Sequence, residues 1–150
     1  MVKLFSVMLP ALFGVFLSLT VHAEKIYTGF FSNKAAGGYD VVAYFKDNKA
    51  VEGRKEFQYE WQGADWYFSS ESHLNAFMHN PTAYAPQYGG HCAWAIATKN
   101  DLVKGSPHYW KIVNGKLYLN YNNSIQNKWL KDIEKFITEG DRNWPDLNKS

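Results

Sequence analysis

One cysteine, Cys92, stands beside His91 and behind a glycine pair in the run Ala85-Pro86-Gln87-Tyr88-Gly89-Gly90-His91-Cys92-Ala93-Trp94-Ala95. A thiol with imidazoles suits a soft metal ion, Cu(I) or Zn(II), and a thiol alone suits a redox nucleophile. Gly89-Gly90 permits positive φ and a sharp turn, after which the chain can enter a short helix, Cys92 to Thr98, with the cysteine in its first turn. The positive end of that helix favours thiolate over thiol. The plain alternative is a small buried hydrophobe behind an ordinary turn. Further imidazoles are offered by His73, His79 and His108, and Met78 could add a thioether, which would tilt the choice to copper. His79 fits an exposed helix end, and His108, between Pro107 and Tyr109, fits a loop residue bonded to backbone.

An enzyme built on Cys92 needs a base within reach and a group to orient it. Asp40 and Asp65 could serve as that group, and each is equally a strand-end or turn residue. With no second cysteine, a sulfenic acid at Cys92 would need an external reductant. The chain carries no phosphate loop, no dinucleotide fingerprint and no haem-attachment pair of cysteines.

The elements that must position these groups begin after an export segment. Lys3 precedes an apolar run from Leu4 to Leu19, and Val21-His22-Ala23 has small residues where a signal peptidase reads, so cleavage is expected after Ala23. The run is short for a membrane span and Pro10 interrupts it. Export places the thiol in the periplasm or outside the cell, and a single cysteine forms no internal disulfide. Cleavage of 23 of the 150 residues leaves 127, enough for one domain with its own core. Without Lys3 the chain has 15 basic against 14 acidic residues and no charge run, which excludes an electrostatic footprint for nucleic acid. Aromatics make up 17% of the chain, which predicts a core built of rings.

Glu24 to Lys34 reads as an extended arm anchored by Tyr27, Phe30 and Phe31, and Ala35-Ala36-Gly37-Gly38 as a turn. The β-branched and aromatic run Tyr39 to Phe45 predicts a buried strand. Phe57, Tyr59 and Trp61 alternate with Gln58 and Glu60, and Trp66-Tyr67-Phe68 returns after a tight connection, which is a β-hairpin. Ser69-Ser70-Glu71 offers an N-cap and a first-turn carboxylate for a helix from about Glu71 to His79, stopped by Asn80-Pro81. Trp110 to Val113 and Lys116 to Tyr121, joined by Asn114-Gly115, form a second hairpin with a type I′ turn. A last helix is expected from Asn123 to about Glu139, capped by Gly140, with Trp144-Pro145 packing back as a tail. No internal repeat or interdomain linker is evident.

The run Tyr39 to Tyr84 resembles the YHS domain, a hairpin-and-helix module, through Tyr39-Asp40-Val41-Val42, Tyr59-x-Trp61-x-Gly63, Trp66-Tyr67-Phe68-Ser69, Phe77 and Asn80-Pro81-x-x-Tyr84. The wider match, through Tyr88-Gly89-Gly90-His91-Cys92-Ala93 to Gly115–Asn122 and Trp129, is similar to exported bacterial YHS-domain proteins. Metal-binding YHS modules use cysteines on the first strand and around the hairpin-to-helix turn, positions that correspond here to Ala43, Ser69 and His73. Of that set only His73 retains ligand chemistry. The exported proteins place a cysteine after the Gly-Gly pair, with selenocysteine in some, which implies a chemical role for Cys92. The residue before it is commonly tyrosine, from which His91 departs.

The expectation is an α+β single domain, two β-hairpins with packed helices, made of a YHS-like core at about 39–84 plus a C-terminal hairpin and helix. Its leading function is soft-metal binding, copper before zinc, with Cys92 as principal ligand and His91 and His73 assisting. A thiol-dependent redox protein, or a periplasmic module binding a small ligand or a partner protein, are the alternatives, and after cleavage no membrane contact is expected.

Overall fold

A computed structural model describes residues 23–149, so the expected leader lies outside the described residues except for Ala23. The described residues form a small α+β domain of six α-helices and two antiparallel hairpins. It runs α1 (Val41–Lys46), β1 (Arg54–Trp61), β2 (Ala64–Phe68), α2 (Glu71–His79), α3 (Pro81–Tyr84), α4 (Ala93–Lys99), β3 (Ser106–Val113), β4 (Lys116–Asn120), α5 (Asn123–Leu130) and α6 (Ile133–Lys149), with 3₁₀ turns at Ala35–Gly38 and Gln87–Gly90.

Both hairpins form where alternation and turn chemistry place them. Gln62 and Gly63 take φ of 53° and 73°, Asn114 and Gly115 50° and 73°, the left-handed pairs that a two-residue hairpin turn requires. Ser70 caps α2 by accepting from the His73 N–H at 3.1 Å.

The run expected as a buried strand is instead α1. Its residues are buried as expected, but Asp40 accepts from the N–H groups of Val42 and Ala43 and so caps a helix. A cap bonded inside the core overrides the β preference of two valines and two rings. The final helix is also two. Bonds from Lys131 N–H to Lys128 and from Asp132 N–H to Trp129 tighten the end of α5 before α6 begins. Gly140 is not a cap. It lies buried inside α6, where a Cβ would meet the Tyr88 hydroxyl at 2.5 Å, and Trp144-Pro145 continues the same helix. Phe30 and Phe31 are more than 90% exposed and touch each other, so of the arm's expected anchors only Tyr27 holds, through its N–H to Gly89 O at 2.9 Å.

The larger departure is a repeat. Thirteen described residues have positive φ, and twelve of them form six pairs 52 residues apart: Ala36/Tyr88, Gly37/Gly89, Gly38/Gly90, Asn48/Asn100, Gln62/Asn114 and Gly63/Gly115. Backbone bonds keep the same offset. Asp40 N–H donates to Val51 O, and Cys92 N–H to Val103 O, both at 2.8 Å. Tyr39 bridges Glu52 as His91 bridges Lys104. Both hairpins carry an irregularity four residues before the pairing resumes, after Arg54 and after Ser106. Ser70 caps α2 through His73 N–H, and Asn122 caps α5 through Ile125 N–H. The domain is thus one unit, residues 35–79, followed by a second copy, 87–131, each a glycine turn, a short helix, a bulged hairpin and a capped helix. The first unit's core holds Trp66, Phe68 and Phe77 and takes in Leu117 and Leu119 of β4, while Trp129, Tyr118 and Ile96 form a second cluster closed by α6.

Candidate functional site

The repeat puts Asp40 and Cys92 at equivalent places, each the residue before a short helix. At the first, Asp40 is fully buried. Its Oδ1 accepts from Val42 N–H at 2.9 Å and Ala43 N–H at 3.2 Å. Its Oδ2 accepts from Ser69 N–H at 2.9 Å, from the Ser69 hydroxyl at 2.6 Å and from His73 Nδ1 at 2.6 Å. His73 Nε2 lies 3.9 Å from Asp47 Oδ2 at the end of α1. One carboxylate thus joins α1, the end of β2 and α2, with both oxygens fully used.

At the second place the equivalent amides, those of Ala95, Tyr121 and Trp94, lie close to the Cys92 sulfur and favour its charged form. The thiol itself donates towards Asn120 Oδ1 at 3.6 Å, and the same oxygen accepts from Trp94 N–H at 3.1 Å. Asn120 is fully buried, and its Nδ2 has no partner among the described residues. The thiol is 1% exposed. Burial pushes its pKa up, and the three amides oppose the rise without cancelling it. The expected thiolate preference is therefore not met. Helix α4 has only seven residues, and desolvation outweighs the pull of its N-terminus.

The surroundings of the two centres differ. Position 73 of the first unit corresponds to Ile125 of the second, and Asp47 to Lys99. With no imidazole reaching back, the second centre borders a pocket of about 220 Å³. Cys92, Trp94, Tyr121, Ile125, Val103 and Lys99 line it.

His91 and His73 do not meet Cys92 in one cluster. Among the described residues no three His, Cys, Asp or Glu groups are gathered as a metal set. His91 has extended backbone, φ −71° and ψ 159°, which turns its side chain to the face opposite that of Cys92. Its Nδ1–H donates to Tyr88 O at 2.7 Å and its ring packs against Tyr27 and Trp144. Burial pulls its pKa down, and Lys25 adds to that against the Tyr88 bond. His73 is tied to Asp40 in the first unit. His79 is exposed, with Nδ1 on Asn75 O, as expected of a helix end. His108 lies within β3 rather than in a loop, and its Nε2 is 3.3 Å from the Tyr39 hydroxyl. Asn120, Lys99 and Ile125 escaped the sequence reading, and the 52-residue offset is the signal that finds them.

Residues 42–88 match the family model of the YHS domain. The match spans 47 of the 150 residues and marks this stretch as similar to the YHS domain. The match starts in α1 and ends in the 3₁₀ turn that opens the second unit, so it covers most of the first copy of the repeat and the link that follows it. No curated protein and no solved structure matches the chain. The three positions that the resemblance assigns to cysteines, Ala43, Ser69 and His73, do converge, and they converge on Asp40, just before the matched stretch. An alanine, a serine and a histidine already bonded through Nδ1 leave one free nitrogen, so this donor set does not fit a soft metal ion.

Proposed function

We propose that the protein binds a soft metal ion, copper(I) first, at Cys92, through a single protein thiolate. The observation that supports this reading is the setting of the cysteine: it lines an apolar pocket, with the backbone amides of Ala95, Tyr121 and Trp94 close to its sulfur. In the free protein burial favours the thiol. A soft cation displaces that proton, and three N–H donors then stabilise the charged sulfur without competing for the ion. The same burial works against the thiol-redox alternative, which needs an exposed, low-pKa thiolate. Zinc ranks below copper because it seeks four donors, and the pocket offers one. His91 and His73 serve structure in this reading, His91 by fixing the turn at Tyr88 and His73 by completing the Asp40 cluster. Cleavage after Ala23 and a periplasmic or secreted location remain part of the proposal.

The test is competition of the reduced mature protein with a copper(I) chelator, alongside Cys92→Ser, His73→Ala and His91→Ala. Loss of about tenfold or more in affinity, roughly 1.4 kcal/mol, is expected for Cys92→Ser alone. Equal affinity of Cys92→Ser and the wild type would overturn the reading.

A further inference from the structure

The two units share a backbone and differ in what fills the space beside the central residue, and that difference identifies a ligand. In the first unit the space is taken by the protein's own imidazole, held between the Asp40 and Asp47 carboxylates. In the second, Ile125 stands where His73 would be and the charges at two equivalent positions are reversed: Lys99 replaces Asp47 and Lys104 replaces Glu52. Lys99 Nζ lies 5.7 Å and Lys128 Nζ 5.4 Å from the centre of the Trp94 ring, and Lys104 Nζ lies 5.6 Å from that of Tyr121. Each aromatic wall of the pocket therefore has a lysine ammonium group against its ring, and Lys99 itself belongs to the pocket lining. No acidic side chain lines the pocket, and Asp101, the nearest carboxylate along the chain, accepts from Leu102 N–H.

We propose that this pocket binds a small organic carboxylate, its apolar body between Trp94, Tyr121 and Ile125 beside Cys92 and its anionic end at Lys99, with the Lys104 and Lys128 ammonium groups against the neighbouring rings. An apolar interior excludes a fully polar anion, and a lining whose one charged residue is Lys99 disfavours an amine. A volume of 220 Å³, at about 30 Å³ for each water-sized group, accommodates roughly seven such groups, the size of a ring or a short branched chain. The inference rests on the Cys92 pocket as the binding site and not on copper: such a ligand would cover the sulfur and could complete the coordination of a bound ion.

Benzoate is the probe, with benzyl alcohol and benzylamine as controls of similar shape, titrated into reduced, metal-free protein and followed by backbone amide NMR. Benzoate is expected to shift the amides of Trp94, Tyr121 and Ile125 saturably, the alcohol more weakly, and the amine not at all. Lys99→Met and Lys128→Met are each expected to weaken benzoate about two- to fivefold, as single exposed ion pairs do. Ile125→His, which copies the first unit, is expected to fill the pocket and abolish binding. Equal affinity for benzoate and benzyl alcohol, shifts that do not saturate, or unchanged benzoate binding by both lysine variants would overturn the proposal. Copper(I) affinity measured on Lys99→Met separates the two readings, because a one-thiolate metal site survives that substitution and the carboxylate site is weakened by it.

Discussion

The Asp40 cluster and the Cys92 pocket are the same backbone used in opposite ways. In both, three amides surround one side chain at the start of a short helix: those of Val42, Ala43 and Ser69 around a carboxylate, and those of Trp94, Ala95 and Tyr121 around a thiol. The first unit adds a hydroxyl and an imidazole from its own chain until the carboxylate is saturated. The second leaves an apolar pocket open and the Asn120 amide half used. A closed, satisfied cluster ties elements together, whereas an open one of the same geometry has a place for something else. The copy that matches the YHS family model is the closed one, and the proposed chemistry lies in the other.

This contrast fixes the largest expected effect. Removing the Asp40 carboxylate strands five donors, three of them on backbone, and uncaps α1, so Asp40→Ala should cost about 3–5 kcal/mol in urea unfolding, the range for breaking one side of a buried charged cluster. Cys92→Ala removes one buried atom from the wall of an existing pocket and should cost about 1 kcal/mol. Similar losses from both would mean that Cys92 ties its unit together as Asp40 does, and would remove the ground for separating a structural from a binding centre.

Much of the frame was legible in the sequence because it rests on local signals. Gln62-Gly63 and Asn114-Gly115 mark hairpins, Ser70 marks a helix start, and the alternation at Phe57, Tyr59 and Trp61 marks a half-buried strand. The α1 segment was misread because burial and β-branching look alike in a strand and in a short core helix, and only the bonds of Asp40 decide between them. The repeat is written in Gly37-Gly38, Asn48, Val51, Gly53 and Gly63 against Gly89-Gly90, Asn100, Val103, Gly105 and Gly115. It was overlooked because these are punctuation residues, while the cores between them, Phe77 against Trp129 or Val42 against Trp94, have diverged. At the candidate site the prominence of Cys92 was legible. The opposed directions of His91 and Cys92 were not, since they depend on extended backbone at one residue.

The glycine turns offer a second way to sharpen the comparison, with a smaller effect. Gly37 and Gly89 share a left-handed φ, 63° and 61°, so alanine at either carries the same strain of about 1–2 kcal/mol. Beyond that strain they differ. A Cβ at Gly37 meets Pro107 Cγ at an ordinary 3.4 Å, whereas one at Gly89 would overlap the Lys25 carbonyl oxygen. The N-terminal arm lies directly on the second turn, held by Tyr27 N–H to Gly89 O and by Lys25 N–H to Asn148 Oδ1. Gly89→Ala should therefore cost roughly 1 kcal/mol more than Gly37→Ala, the worth of the hydrogen bonds it displaces. It should also expose the arm to limited proteolysis, which Gly37→Ala should not. Equal proteolysis of the two variants would show that the arm is not seated on the second unit.

The smallest effect separates the units by pH. Position 39 is tyrosine and its equivalent is His91, whose pKa is pulled down, first by burial. A histidine that charges more readily unfolded than folded gives stability that is complete above its ordinary value, near 6.5, and is lost as pH falls through that value towards the folded one. His91→Tyr, which copies the first unit, removes this dependence. The unfolding midpoint of the wild type should therefore fall relative to that of His91→Tyr between pH 8 and pH 5, whatever the offset between the two proteins at pH 8. A constant offset across that range would mean that His91 charges as freely in the folded protein as in the unfolded chain. Its ring would then not be held as Nδ1–H to Tyr88 O between Tyr27 and Trp144, and the turn that presents Cys92 would owe its shape to Gly89-Gly90 alone.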